Sequence, residues 1–381
     1  MNFKQYWNKV TKIVIPNNVQ LANNIFPASA FDAMEFLEEV DFPYNKITRM
    51  DITHHNCISL KGRCSCGDKV TTMFRSYYNC SNLIGPPACG DNVINMYFTY
   101  YNCRNLTGSP VCGNNVIDMS GAYRECRNLT GSPVCGKNVT NMSYTYNGCT
   151  SLTGSPVCGN NVTSMDGTYN GCTNLTGSPA CGNNVTSMYG TYYNCGNLTG
   201  SPVCGNNVVN MYGTYSFCRN LTGSPVCGEK VTNMFSAYNS CTNLTGSPVC
   251  GENVTNMMWT YISCRNLTGS PVCGNNVVDM EATYAGCYNL SSNGYFYSNK
   301  ITNITNCFYS RNTSKQFNLY LPANSTSLTT ALSNTAATSM VGADITWTDD
   351  TTTNNRYYNT QYNIYIYPVE NVAAARAANG D

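Results

Sequence analysis

The chain has 381 residues, long for one ordinary compact core, yet only 11% are charged, where about 25% is usual; Gly, Asn, Thr, Ser and Tyr fill the gap. A net charge of +1 gives no electrostatic drive toward nucleic acid or an anionic membrane. The 42% of hydrophobic residues argues against disorder, and no stretch nears the roughly 18 apolar residues of a membrane span.

At the N-terminus, Met1 to Trp7 hold no apolar run of signal-peptide type, so nothing there marks the chain for export or for oxidised cysteines. Val10 to Val19, with Ile13, Ile15 and Pro16, predicts a strand and a turn. A second unit, Leu37, Val40, Phe42 and Pro43 followed by Ile47, Met50 and His54, falls in register with Cys57. Residues 1–56 are therefore expected to be degenerate capping repeats.

Residues 57–290 repeat every 23 residues. Cys57, Cys80, Cys103 and so on to Cys287 keep that step, as do a second column from Cys66 to Cys273, Met73 to Met280, Tyr77 to Tyr284, Leu83 to Leu290 and Val93 to Val277. A fixed period of this size predicts a solenoid, whose units bury their apolar faces only by stacking. Val162, Met165, Tyr169 and Cys172 stand at steps of three, four and three, which predicts one stripe of a short helix capped by Asn160 and Asn161. Leu152 to Val157 is the extended half, expected to pair with neighbouring units as parallel strands about 4.8 Å apart. Pairing should stop near Pro156, which offers no N–H.

The run Val139, Met142, Tyr146, Cys149 and Leu152 resembles the BspA-type leucine-rich repeat, particularly the repeats of mycoplasma surface lipoproteins. The resemblance covers about residues 10–322. In the strand half, Gly-Ser-Pro-Val-Cys-Gly stands where that family carries alternating aliphatics. What the resemblance implies is a leucine-rich-repeat-like, right-handed solenoid of short parallel strands and short helices. It also implies display on a surface.

Residues 291–322 read as degenerate C-terminal repeats, with Phe317 to Pro322 returning to the strand pattern. Residues 323–381 do not repeat and read as a β-rich C-terminal module. There Ser327 to Leu332 predicts a helix, Ala343 to Trp347 and Tyr362 to Pro368 predict strands, and Ala373 to Asp381 predicts a frayed tail.

The chemistry-bearing residues are few. The cysteine columns read as buried thiols acting as small apolar ladders, with disulfides between the two columns of a unit as the alternative. The two histidines, His54 and His55, sit beside Cys57, Cys64 and Cys66, so His55 with these three cysteines is the one place for a tetrahedral zinc site. Against it, Cys57 and Cys66 are already required by the repeat and His54 occupies the Tyr position, so no metal and no cofactor is expected. Asp344, Asp349 and Asp350 near Tyr357 and Tyr358 form the only carboxylate cluster resembling a catalytic pair, and a solvated loop explains it. No enzyme is expected. Asn105, Asn128 and Asn174 match the glycosylation pattern, but stacked asparagine ladders account for them as well.

The repeats differ mainly at the two residues after each Met and the two before each column Cys. The first pair includes Tyr97-Phe98, Ser143-Tyr144, Tyr189-Gly190, Tyr212-Gly213, Phe235-Ser236 and Met258-Trp259; the second includes Tyr101-Asn102, Arg124-Glu125, Tyr193-Asn194, Ser216-Phe217 and Ile262-Ser263. Tyr, Ser, Gly and Asn with occasional Trp, Phe and Arg is the mixture that recognition surfaces use. The expected ligand-binding ridge comprises Tyr189, Tyr193, Tyr212, Phe217, Phe235, Met258, Trp259 and Ile262. The expected function is recognition of a host cell-surface protein or glycan from a virion or cell surface, as in a bacteriophage receptor-binding or fibre protein. The alternative is a structural virion or filament subunit. A homo-oligomer or virion partner would attach through the C-terminal module, with no nucleic acid and no membrane insertion.

Overall fold

The computed structural model describes residues 9–19, 29–41, 43–62 and 64–381. Met1 to Trp7 and Phe42, used in the terminal readings, lie outside these. The chain forms two compact units, Met1–Val185 with Thr191–Leu198, and Thr186–Gly190 with Thr199–Asp381.

The first unit opens with β1 (Lys12–Val14) paired parallel to β2 (Glu39–Asp41), Ile13 opposite Val40. Beyond it the coils stack with one parallel bridge per coil: Arg49 to Thr72, Thr72 to Asn95, Asn95 to Asp118, Asp118 to Asn141 and Asn141 to Ser164. In the second unit the same column runs Ser187, Asn210, Asn233, Asn256, Asp279 and Asn303. Each bridge residue immediately precedes the core Met or its equivalent. The Val, Met, Tyr, Cys and Leu columns are buried, with Val162, Met165, Tyr169, Cys172 and Leu175 all 0% exposed. The stacking and the burial therefore follow the periodicity.

The local structure does not. Among the described residues the regular coils contain no helix, and the stripe expected to be helical is a succession of turns. Alternate N–H groups leave the coil: Tyr144, Tyr146 and Gly148 donate to the carbonyls of Asp166, Thr168 and Asn170 in the next coil at 2.7–2.9 Å. The groups between them close short turns, Thr145 to Met142, Asn147 to Tyr144 and Cys149 to Tyr146. A helix is blocked because two positions per coil, two and six residues after Met, have positive φ: Tyr144 at 56° and Gly148 at 75°, Gly167 at 56° and Gly171 at 76°. Right-handed helix is closed to such backbone.

The extended half also departs from expectation. No strand ladder forms at Leu152 to Val157, and inter-coil bonding there reduces to contacts such as Thr153 N–H to the Gly131 carbonyl, 3.0 Å. The tyrosine of the same coil replaces the ladder. Tyr169 donates its hydroxyl to the Val157 carbonyl at 2.8 Å and accepts from the Val157 N–H at 3.0 Å. Tyr146 does the same for Val134, and Tyr238 for Val226. A half-buried peptide group beside a proline thus finds both partners in one side chain, which a phenylalanine could not supply. The rings stack between coils with centroids 5.5 Å apart for Tyr77–Tyr100 and 5.6 Å for Tyr238–Tyr261.

In the second unit the coils give way to a six-stranded sheet. Its strands are β3 (Val272–Cys273), β4 (Asn293–Phe296), β5 (Phe317–Pro322), β6 (Thr348–Asp350), β7 (Arg356–Asn359) and β8 (Ile364–Val369), in the order β3-β4-β5-β8-β7-β6. Parallel pairing runs from β3 through β4 and β5 to β8, and the last two pairs are antiparallel. Residues beyond 323 therefore extend the sheet that the last repeats begin. α1 (Thr326–Ala331), capped by Ser325, stands at the expected helix. The strand expected at Ala343 to Trp347 is displaced to β6. α2 (Thr351–Asn354) follows it. The expected frayed tail is α3 (Val372–Ala378), capped by Asn371. Arg376 lies over the Tyr295 ring, and the Tyr295 hydroxyl donates to Asp381 at 2.6 Å. Those contacts supply the order that composition alone did not promise. No helix among the described residues is long and apolar enough to cross a membrane.

Candidate functional site

The Met of each coil fixes where its two neighbours emerge. The Asn or Asp before Met turns its side-chain oxygen to the N–H of the residue after Met: Asn210 to Tyr212 at 3.0 Å, Asn233 to Phe235 at 2.9 Å and Asn256 to Met258 at 2.9 Å. This caps an N–H that would otherwise lack a partner and aims the side chain outward. Beneath, the Thr three residues after Met closes the turn, with Thr260 Oγ1 donating to the Met257 and Met234 carbonyls.

In the second unit the arrangement draws four of the expected ridge residues into one line. Tyr189 stacks on Tyr212 at 4.8 Å, Tyr212 on Phe235 at 4.5 Å, and Phe235 meets Trp259 at 5.4 Å, tilted by 42°. Tyr189 is 42% exposed and Trp259 38%, while Tyr212 and Phe235 are half-buried between them. Met258 shares the column of Phe235, half-buried, and Ile262 lies three residues beyond Trp259, also half-buried. Phe217 stands at a positive-φ position, 63°. Tyr193, 39% exposed, belongs to the first unit and its carbonyl accepts from Gly171 at 2.8 Å.

Much of the composition that suggested recognition has a backbone cause. Gly167, Gly190 and Gly213 occupy the left-handed position two after Met, and Asn194, Gly148 and Gly171 the one six after. Glycine and asparagine enter this conformation readily. Trp259, at φ 59° in the column of Gly190 and Gly213, does not. A bulky side chain in this column also dictates the next coil: a Cβ on Gly121 would come within 2.8 Å of the Phe98 ring, and one on Gly167 within 2.6 Å of the Tyr144 ring.

The zinc candidates are not assembled. His55 Nδ1 meets Asp32 at 2.8 Å, Cys57 Sγ donates to the Phe31 carbonyl at 3.0 Å, and Cys66 Sγ turns to the Gly67 carbonyl. Burial raises the Cys57 and Cys64 thiols to about 12. Among the described residues no group of three or more His, Cys, Asp or Glu is placed to hold a metal. None of the 23 cysteines is in a disulfide, and the inner column has a use for its proton: Cys149 Sγ donates to the Tyr123 carbonyl of the preceding coil at 3.0 Å. The C-terminal carboxylates likewise go to separate partners, Asp344 to the Ala336 N–H, Asp349 to Thr351 and Asp350 to Arg356. Asn105 reaches Asn82 at 3.3 Å, one rung of the expected ladder.

A second aromatic group lies in the first unit; Tyr97, Phe98, Tyr101, Arg124 and Tyr144 stand among the varying positions read from the sequence but outside the expected ridge. Phe74 stacks on Tyr97 at 5.3 Å and Tyr78 on Tyr101 at 4.5 Å, with Arg75 and Arg124 lying over the rings. Phe74 and Arg75 occupy the two places after Met73, so the column that exposed the first ridge also contained the signal for this one.

No protein-family model matches the chain, and no curated protein matches it in sequence. Among solved structures it is similar to a leucine rich cell surface protein from Faecalibacterium prausnitzii A2-165, with 15% identity over 74% of this chain and 86% of that one and a TM-score of 0.39. It is also similar to a leucine-rich repeat protein from Bacteroides ovatus ATCC 8483, with 13% identity over 83% of this chain and 79% of that one and a TM-score of 0.46.

Proposed function

We propose that the chain is a non-enzymatic, surface-displayed recognition protein whose second-unit ridge binds a cell-surface partner. A bacteriophage receptor-binding or fibre protein is the setting we favour. The observation that carries this reading is Trp259. A bulky aromatic is held in left-handed backbone, 38% exposed, in a column where Gly121, Gly167, Gly190 and Gly213 stand in four other coils. Such backbone disfavours an L side chain by about 1–2 kcal/mol, and strained residues of this kind concentrate at functional sites. Tyr189, Tyr212 and Phe235 extend Trp259 into a continuous apolar line, and exposed aromatics in line mark binding surfaces. Tyr189, Tyr212 and Phe235 stack on one another, so the faces they share are closed to a sugar ring, which favours a protein partner over a glycan.

The test is binding of the labelled full-length chain to intact cells of a bacterial panel and to a glycan array. Tyr212→Ser, Phe235→Ser and Trp259→Ser together should lower cell binding at least tenfold while the circular-dichroism spectrum stays that of the parent. Unchanged binding by the triple variant would overturn the reading. A structural subunit whose ridges pack on one another is the second reading, favoured by a net charge of only +1 that opposes self-association little. Light scattering that shows assembly of the parent and a monomeric triple variant would select it.

A further inference from the structure

The aromatic face of the first unit differs in chemistry from the ridge. The Arg75 guanidinium lies 5.4 Å from the Phe74 ring centroid, 5.6 Å from Tyr78, 5.7 Å from Tyr97 and 5.9 Å from Phe98. Arg124 lies 5.7 Å from Tyr101 and 5.4 Å from Tyr144. These contacts are cation–π clamps that fix two planar forks in place. The Nε of each arginine is buried without a hydrogen-bond partner. The acids of the surrounding coils are committed elsewhere: Asp51 to Arg49 and Thr72, Asp118 to Ser120, and Glu125 to Arg127. A buried donor without an acceptor is unfavourable; both side chains are only half-buried, so an incoming acceptor meets the terminal guanidinium nitrogens and not the covered Nε.

These residues stand in the left-handed column that recurs from coil to coil. Arg75 and Phe98 have φ of 49° and Tyr144 of 56°, in the column where Gly121 and Gly167 stand in other coils. The rings of Phe74 and Tyr97 are within 6° of parallel and those of Tyr78 and Tyr101 within 23°, so their faces cover one another. The outward ring edge is the positive end of the aromatic quadrupole. Edges, phenol hydroxyls and guanidinium forks thus all favour negative charge.

We propose that this face binds an acidic polypeptide segment, with Arg75 and Arg124 each taking a side-chain carboxylate in a forked contact and the ring edges packing beside it. Planar two-point recognition of a carboxylate is what arginine does and lysine does not. Covered ring faces offer no platform for a sugar, which is why the segment is polypeptide. The site shares no residue with the ridge of the second unit, so either assignment can fail alone.

The experiment is fluorescence anisotropy of the full-length chain with a labelled decapeptide of alternating Glu and Tyr. Its counterpart with Gln for Glu, and polygalacturonate as a carboxylate-bearing glycan, are run beside it. The Glu-Tyr peptide should bind at least tenfold more tightly than the Gln-Tyr peptide and weaken with added salt. Arg75→Gln with Arg124→Gln should lose at least tenfold, and the ridge variant of Tyr212, Phe235 and Trp259 should bind as the parent does. Arg75→Lys with Arg124→Lys keeps the charge over the rings, guards against misfolding of the first pair, and should weaken binding at least threefold. Equal affinity for the two peptides, no binding of the Glu-Tyr peptide, unchanged affinity in the Gln variants, or tighter binding of polygalacturonate would each overturn the proposal.

Discussion

The coil around Met96 and the coil around Met234 share an inner frame and differ outside it. Met96 and Met234, Tyr100 and Tyr238, and Cys103 and Cys241 are all fully buried, and each tyrosine hydroxyl holds the peptide group after its coil's proline, at Ala88 and Val226. Outside, the first coil presents Tyr97, Phe98 and Tyr101 among arginines, and the second presents Phe235 beside Tyr212 and Trp259, with no cation over these rings among the described residues. The frame tolerates unlike surfaces because it satisfies its own backbone groups.

Acid should separate the two regions most strongly. His54 stands in the tyrosine column of the first unit, stacked on Tyr77 at 4.9 Å, with both ring nitrogens buried and unpartnered. Burial pushes its pKa down to about 3, against roughly 6.5 in an unfolded chain. Because the folded value is the lower, folding stability is full above about pH 6.5 and falls as pH drops toward 3, by roughly 1.4 kcal/mol per unit. Limited proteolysis from pH 7 to 4.5 should cut the coils near residue 54 before those of the second unit, and His54→Phe should abolish that preference. Simultaneous opening of both regions would contradict the assignment.

A change to the frame should do the reverse and treat both regions alike. Tyr146→Phe and Tyr238→Phe each leave one half-buried N–H and one carbonyl without the hydroxyl, and each should lower unfolding free energy by about 1–2 kcal/mol. Urea denaturation measures this, and losses differing by more than about 1 kcal/mol would break the idea of a common frame.

Smaller effects sharpen the contrast within one column. Gly167→Ala forces an L side chain into left-handed backbone and against the Tyr144 ring, and should destabilise by about 1–2 kcal/mol. Adding Tyr144→Gly should recover part of that loss, a coupling that a double-mutant cycle reads directly. Asn95→Ala and Asn233→Ala each uncap the N–H of the residue after Met, Tyr97 and Phe235, and each should destabilise by about 1 kcal/mol. An effect in one coil only would show that the cap serves that coil's surface, not the frame.

The sequence displayed the frame's period and its buried columns because identical coils must repeat whatever they bury. Val162, Met165, Tyr169 and Cys172 were legible as one apolar stripe, but steps of three and four do not distinguish a helix from a chain of turns. The signal that decides it was present: glycine and asparagine recur two and six residues after Met, where a helix would resist them. The tyrosine hydroxyl's service to the peptide twelve residues back was not legible, since periodicity reports burial and not partners. Of the outward residues, the column positions could be read, and the line Tyr189, Tyr212, Phe235 and Trp259 follows from them. The arginine clamps depend on side chains from neighbouring coils, a relation that a single coil does not display. The ordered α3 tail was illegible for the same reason, resting on Tyr295 far back in the chain.

The frame folds by itself and keeps the unlike residues outside for contact with a partner, and Trp259→Gly tests this most directly. Unfolding free energy and binding to intact bacterial cells are to be measured on the same preparation. The expected result is stability within about 1 kcal/mol of the parent, because relief of left-handed backbone offsets the lost contact with Phe235, together with a clear fall in cell binding. A variant that binds undiminished, or one destabilised by several kcal/mol, would show that Trp259 belongs to the frame.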